Sequence, residues 1–170
     1  MDVCQAIQTR RSIRAFLDRP VEEEKILQIL EAARLSPSAS NRQSWKFVVV
    51  RDAALRAKLG EAAGNQHFVG QAPVILVACG TDPAGIMRCG QYRYTVDVSI
   101  AMAYMLLEAR EIGIGTCWIG NFDEKAVKEI LGIPEAVRVV ALSPLGYAAR
   151  EATPVARKGL DEIACWETYG

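Results

Sequence analysis

Three stretches of this chain hold polar and glycine residues at spacings that suit a bound ligand better than a packed core. The first is Arg10-Arg11-Ser12-Ile13-Arg14. Guanidinium groups give bidentate contacts to phosphate, and a serine hydroxyl or free backbone N–H adds a further donor. Taken alone, the same residues also make a solvated basic turn. The second stretch is Pro37-Ser38-Ala39-Ser40-Asn41-Arg42-Gln43, dense in donors and acceptors that can meet the edge of a heteroaromatic ring or simply cap a turn. The third is Gly113-Ile-Gly-Thr-Cys-Trp-Ile-Gly120, where glycines let backbone come close to a flat ligand.

Other chemistries lack their parts. No GxGxxG and no GxxxxGK[ST] occurs, so neither a dinucleotide fingerprint nor a phosphate loop is encoded. The cysteines Cys4, Cys79, Cys89, Cys117 and Cys165 are widely spaced without a CxxC, which reads as scattered, mostly buried thiols. A zinc or iron–sulfur centre needs clustered ligands, and none are present. His67 is the single histidine, placed between Gln66 and Phe68 like an ordinary partly buried polar residue. A Ser-His-Asp or Cys-His device has no motif to build on.

The elements that must carry these stretches can be read from periodicity. Val3, Ala6 and Ile7 suggest a short helix over Val3–Thr9. Pro20 and Glu22-Glu23-Glu24 mark a helix start, where acidic side chains suit the macrodipole. Ile26, Ile29, Leu30 and Ala33 give that helix one buried face, and the Ser-Pro-rich loop stops it near Leu35. Phe47–Val50 reads as a strand covered on both faces, Ala53–Ala63 as a helix ended by Gly64-Asn65, and Val74–Ala78 as a strand opened by Pro73. The segment from Thr81 to Gly90 is turn-rich. Val96–Ile112 predicts a long central helix, apolar nearly all round. A strand near Thr116–Ile119, a helix from Asp123 to Leu131 with Asp123 as N-cap and Gly132 at C′, and a strand over Val137–Leu142 follow. The expected fold is therefore α+β: a mixed, mainly antiparallel sheet from segments near 46–51, 73–79, 115–119 and 137–143, flanked by helices. The non-periodic tail from Glu151, with Ile163, Trp166 and Tyr169, cannot form a core alone and is expected to pack on another surface.

With 170 residues the chain has room for one domain. A hydrophobic share of 51% against 24% charged residues supports a sizeable core, and twenty cations balance twenty anions. That balance argues against a life on nucleic acid or anionic membrane. The longest apolar stretch, Val98–Leu107, falls well short of the roughly 20 residues that cross a bilayer. The first residues are neither basic nor followed by an apolar signal core, so the expected location is the cytoplasm.

Order and spacing make the three stretches more specific together than apart. Arg10-Arg-Ser-Ile-Arg-Ala-Phe16, Ala33-Arg-Leu-Ser-Pro-Ser-Ala-Ser-Asn-Arg-Gln-Ser-Trp-Lys-Phe47 and Glu111-Ile-Gly-Ile-Gly-Thr-Cys-Trp-Ile-Gly-Asn-Phe122 resemble the nitroreductase family of FMN-dependent oxidoreductases. Leu145-Gly-Tyr147 and Arg157-Lys158-Gly-Leu-Asp-Glu-Ile163 resemble that family's C-terminal segment, so the likeness spans nearly the whole chain. It implies a homodimer with FMN at the subunit interface and residues 150–170 embracing the partner. Arg10, Arg11, Ser12 and Arg14 match residues that hold the FMN phosphate and ribityl chain. Pro37, Ser38, Ala39 and Asn41 match a loop reaching the flavin from the partner subunit, with Gln43 just beyond. Asn65 matches a polar group near the pyrimidine edge. Trp118, Ile119 and Gly120 match backbone beside the reactive flavin nitrogen, and Arg157 with Lys158 match a second phosphate clamp.

Three departures stand out. Val155 occupies a position often basic in the family, Ser44 replaces a common proline, and the stretch between Cys79 and Tyr94 is short. That stretch usually supplies helices over the substrate side. The activity implied is NADH or NADPH oxidation with transfer to an electron-poor small-molecule acceptor, a nitro compound or quinone, by ping-pong kinetics. No catalytic side chain is required of the protein, because the flavin carries the redox chemistry. Flavin-fragmenting, dehalogenating or azoline-oxidising chemistry on the same scaffold, and flavin binding without turnover, stay open from the residues alone.

Overall fold

A computed structural model describes residues 2–150 and 152–169. The elements run α1 (Val3–Thr9), α2 (Glu23–Arg34), β1 (Trp45–Val50), α3 (Ala53–Ala62), α4 (His67–Gln71), β2 (Val74–Gly80) and α5 (Arg93–Glu111). They continue with β3 (Gly115–Thr116), α6 (Glu124–Leu131), β4 (Arg138–Gly146) and the single turn α7 (Leu160–Ile163). The four strands form one sheet in the order β1-β2-β4-β3, and every ladder is antiparallel. Among the described residues the one parallel pairing is an isolated bridge between Ser12 and Thr116. The α+β class expected from the sequence is the class observed.

The two-residue period of β2 divides the interior. Val74, Leu76 and Ala78 face a cluster with Ile26, Ile29, Ala33, Val98, Met102 and Met105 from α2 and α5. Ile75, Val77 and Cys79 face Leu59, Val69, Ile119 and Val127 on the other side. Because both faces are covered, every residue of β2 is buried, which explains its unbroken apolar run. Asp123 caps α6 by accepting from the Ala126 N–H at 3.1 Å, and Gly132 closes it in the left-handed conformation at φ 64°.

The structure corrects several expectations. β1 is an edge strand and mostly half-buried, not covered on both faces. β4 runs past Leu142 through Pro144 to Gly146, since β3 pairs only with Leu145 and Gly146 and leaves the proline's missing donor unneeded on that side. α5 is amphipathic: Val98, Ala101, Met102 and Met105 are buried, whereas Ala103 and Tyr104 are exposed. His67 is exposed at the start of α4, a helix too short and too interrupted by Gly70 to show a period. Cys79 and Cys117 are buried, but Cys4, Cys89 and Cys165 are exposed, so most thiols lie outside the core. Among the described residues no helix is long and apolar enough to cross a membrane.

Tyr147 fastens the end of β4 to the approach to α2. Its hydroxyl donates to Glu22 at 2.6 Å and accepts from Lys25 Nζ at 3.0 Å, with Arg19 stacked 3.8 Å over the ring. That hydroxyl, helped by Arg19, holds the Glu22 carboxyl down at about 2. A depressed carboxylate contributes its full stability above its ordinary value of 4.5 and loses it as pH falls toward the folded value. The gap in melting temperature between the protein and Tyr147→Phe is therefore expected to be widest above pH 4.5 and to narrow toward pH 2. A gap that stays constant across a thermal-denaturation series in pH contradicts this coupling.

Candidate functional site

The basic stretch is laid along the β3 edge by backbone pairing. α1 ends at Thr9, and Arg10 turns the chain out of the helix with ψ 129°. The Ile13 N–H then donates to Thr116 O at 2.8 Å, the Leu17 N–H to Tyr147 O at 2.8 Å, and the Ala149 N–H to Ala15 O at 2.9 Å. Gly115 permits this approach, because a Cβ there would stand 2.8 Å from Ile13 Cγ1. Arg10, Arg11, Ser12 and Arg14 are thus presented from a fixed extended segment.

Those four residues line one cavity of about 530 Å³ with Arg150, Thr153, Val155 and Arg157. A neighbouring cavity of about 600 Å³ shares Arg10, Arg11 and Arg150 and adds Arg110 and the backbone of Gly113–Thr116. Among the described residues no carboxylate lines either one. Arg11 donates to Gln8 O at 2.7 Å and to Arg10 O at 2.9 Å. Among the described residues Arg10, Arg14, Arg150 and Arg157 form no ion pair, although the chain as a whole is neutral. Cations gathered without counter-charge in a walled cleft repel one another, and a polyanion entering the cleft relieves that repulsion. Arg150 is a lining residue that the sequence reading missed; it follows Ala148-Ala149 with no motif around it.

The same edge carries the third stretch. Ile119 is buried and bridges Leu142, so Trp118 and Gly120 on either side are fixed in place while remaining exposed. Asn65 lies nearby in the left-handed conformation at φ 57°, directly after Gly64 at φ 69°. The Gln66 amide donates to Asn121 O at 3.4 Å, and the Asp123 N–H donates to Ala62 O at 2.8 Å. These contacts tie the end of α3 to the chain that leaves Gly120. Asn65 and Trp118–Gly120 are thus held close together, and Thr116, two residues before Trp118, carries the bridge to Ser12 in the arginine segment. Lys158 is exposed and lines neither cavity.

The Pro37–Gln43 loop lies elsewhere. It leads into β1, the opposite edge strand, and three strand spacings of roughly 4.8 Å put about 14 Å of sheet between the edges. Ser40, Asn41 and Gln43 all hold φ at 52°, a left-handed conformation that costs non-glycine residues free energy. The turn is held by Ser38 Oγ, which accepts from the Gln43 N–H at 3.0 Å, and by the Gln43 amide donating to Asn41 Oδ1 at 3.1 Å. From α5, Asp97 Oδ1 accepts the Ala39 N–H at 3.1 Å. Pro37, Asn41 and Gln43 are exposed, so the loop offers its polar groups outward and away from its own chain's arginines.

Known proteins share both the sequence and this architecture. The profile described as Nitroreductase family matches residues 7–67 and 61–147. A provisionally named NADH dehydrogenase/NAD(P)H nitroreductase of Archaeoglobus fulgidus is 40% identical over 159 residues, covering 89% of this chain and 88% of the relative. The FMN reductase [NAD(P)H] of Bacillus subtilis is 28% identical, over 99% of this chain and 74% of its own. Among solved structures, an FMN-dependent nitroreductase of Clostridium difficile superposes with a TM-score of 0.85 at 28% identity, covering 96% of this chain and 98% of that one.

Proposed function

This chain belongs to the nitroreductase family, and from that premise we propose that it is an NAD(P)H-dependent FMN oxidoreductase that passes reducing equivalents to an electron-poor small molecule such as a nitro compound or quinone. The observation that carries the reading is the arginine-lined cavity, which has no carboxylate among its described lining residues, together with the exposed Trp118 and Gly120 that flank the bridged Ile119. A phosphate monoester with close to two negative charges suits that cavity, so the donor set fits the phosphate end of FMN. FMN, when bound, supplies the hydride chemistry.

The chain's own residues bind and orient. Arg10, Arg11, Ser12 and Arg14 hold the phosphate and ribityl chain, joined by Arg157 and, from its exposed position, Lys158. Asn65 faces the pyrimidine edge, and the backbone of Trp118, Ile119 and Gly120 lies beside the reactive nitrogen. Pro37, Ser38, Ala39, Asn41 and Gln43 complete the site from a second copy of the chain. The working unit is one domain spanning residues 1–170, with 150–170 as the arm that embraces the partner. Donor and acceptor use a single exposed face in turn, which gives ping-pong kinetics and suits a sequence without the GxGxxG fingerprint. The Cys79 thiol does not compete as a nucleophile, since burial pushes it up to about 11.

The purified protein is expected to be yellow, to bleach under anaerobic NADH or NADPH, and to recover its visible bands when a quinone is added. Steady-state oxidation of NADH with the quinone separates turnover from mere flavin storage. A colourless protein that fails to take up added FMN overturns the reading.

A further inference from the structure

We propose that Asp97 is a positioning residue for the neighbouring subunit's flavin site, acting through the Pro37–Gln43 loop that it anchors in its own subunit. The inference rests on the proposed function, in which that loop serves a site in trans. Its own support is a buried acid with an incomplete set of partners. Asp97 is only 3% exposed, on the face of α5 that also buries Tyr94, Val98 and Ala101. Oδ1 accepts the Ala39 N–H at 3.1 Å, while Oδ2 has no hydrogen-bond partner among the described residues.

A half-satisfied carboxylate in a helix–helix core opposes folding, and an apolar residue would pack there more cheaply. What Asp97 contributes is a fixed point beneath a turn that resists its own geometry. Ser40, Asn41 and Gln43 sit at φ 52°, and the loop's other hydrogen bonds are local, joining its residues to one another and Gln43 O to the Trp45 N–H at 2.8 Å. The bond from Ala39 to Asp97 ties that turn to the helix core, fifty-eight positions away in sequence. Without it the strained turn can relax, and the outward groups of Pro37, Asn41 and Gln43 lose their placement for the second copy. Such placement is worth binding free energy because a loop ordered beforehand need not be ordered by the ligand.

The test measures FMN affinity by fluorescence quenching on the dimer. Asp97→Ala is expected to weaken FMN about tenfold, whereas Asp97→Asn, which keeps an acceptor for the Ala39 N–H, stays within about twofold of the parent. A D97A protein that binds as tightly as the parent, or a D97N protein as weak as D97A, overturns the assignment. If D97A does not fold, Ala39→Pro removes the donor instead. Proline is tolerated there because Ala39 opens a helical turn and Ser38 before it is extended, at φ −141° and ψ 155°. A39P is expected to match the tenfold loss, and parent-like binding by A39P contradicts the proposal.

A hybrid dimer decides between a role in trans and general damage. Pairing an Arg10→Ala subunit with a D97A subunit puts both defects in one site and leaves the other intact. One flavin of parental affinity per hybrid is expected; none means that Asp97 acts within its own site or only on stability. Should the R10A homodimer itself bind FMN normally, the site reading fails rather than this inference.

Discussion

Alanine at Arg10 or Arg14 is expected to weaken FMN binding about 10- to 100-fold, roughly 1.5–3 kcal/mol for the loss of a charge-assisted contact. Both residues line the 530 Å³ cavity together with Arg157, and neither pairs with an acidic group among the described residues. Two physical terms pull in opposite directions. Removing one of five arginines relieves repulsion in the empty cavity, which favours the variant. It also removes a bidentate partner and part of the field that a phosphate monoester experiences. The second effect dominates once ligand is bound, because solvent screens the arginines in the open cavity far better than it screens a direct contact. The half-buried Arg10 should therefore show the larger loss and the exposed Arg14 the smaller. Isothermal titration of the apoprotein at two ionic strengths checks this. Unchanged affinity in both variants would reduce the basic stretch to a solvated turn. An Arg→Lys change at position 10 should retain the charge and lose the fork, giving an intermediate value.

How far the sequence disclosed this arrangement depended on range. The arginines, the Ser-Pro loop and the glycine-flanked Trp118 are local patterns, legible because residue type and spacing are themselves the signal. The strands were legible where burial repeats every second residue or covers both faces, as in β2. What escaped is non-local. Pro144 signals the end of a strand, and only its position beside a two-residue β3 shows why β4 continues. Arg150 has no motif, and it joins the cavity only because Ala149 pairs with Ala15. Asp97 did leave a trace: it is the one charged residue in the apolar run from Val96 to Leu107, on the side of the helix that is buried. An acid on a buried helical face asks for a partner, and sequence alone does not reveal that the partner is a loop N–H. The separation of loop and arginines by the width of the sheet likewise follows from strand order, which no spacing encodes.

That separation carries the second large expected effect: removal of residues 151–170 should abolish both dimerisation and flavin binding. Within one chain the Pro37–Gln43 loop and the arginine cavity stand at opposite sheet edges. α2, which joins the two regions, spans 12 residues or about 18 Å. A second copy would bring its own loop to each cavity, and a two-fold pairing would then supply two equal sites. The tail gives the pairing its apolar surface. Leu160 is 79% exposed and Trp166 84%, and Val155, Ile163 and Tyr169 are also exposed. Val3 and Ile7 on α1 and Tyr104 on α5 are uncovered too. At about 1.5–3 kcal/mol for each large side chain fully buried, covering five from the tail is worth on the order of 10 kcal/mol as an upper bound, a gain of the same order as the cost of associating. Arg157 travels with that arm, so its loss removes a phosphate contact together with the partner. Light scattering of the full chain should give about twice 18.6 kDa, and the chain ending at Arg150 should give half that assembly without flavin. Arg157→Ala is the control that separates the two contributions. It should keep the dimer and weaken FMN by about tenfold, a single charge-assisted contact. A full-length monomer that retains FMN, or a truncated dimer that does, would show that each chain completes its own site.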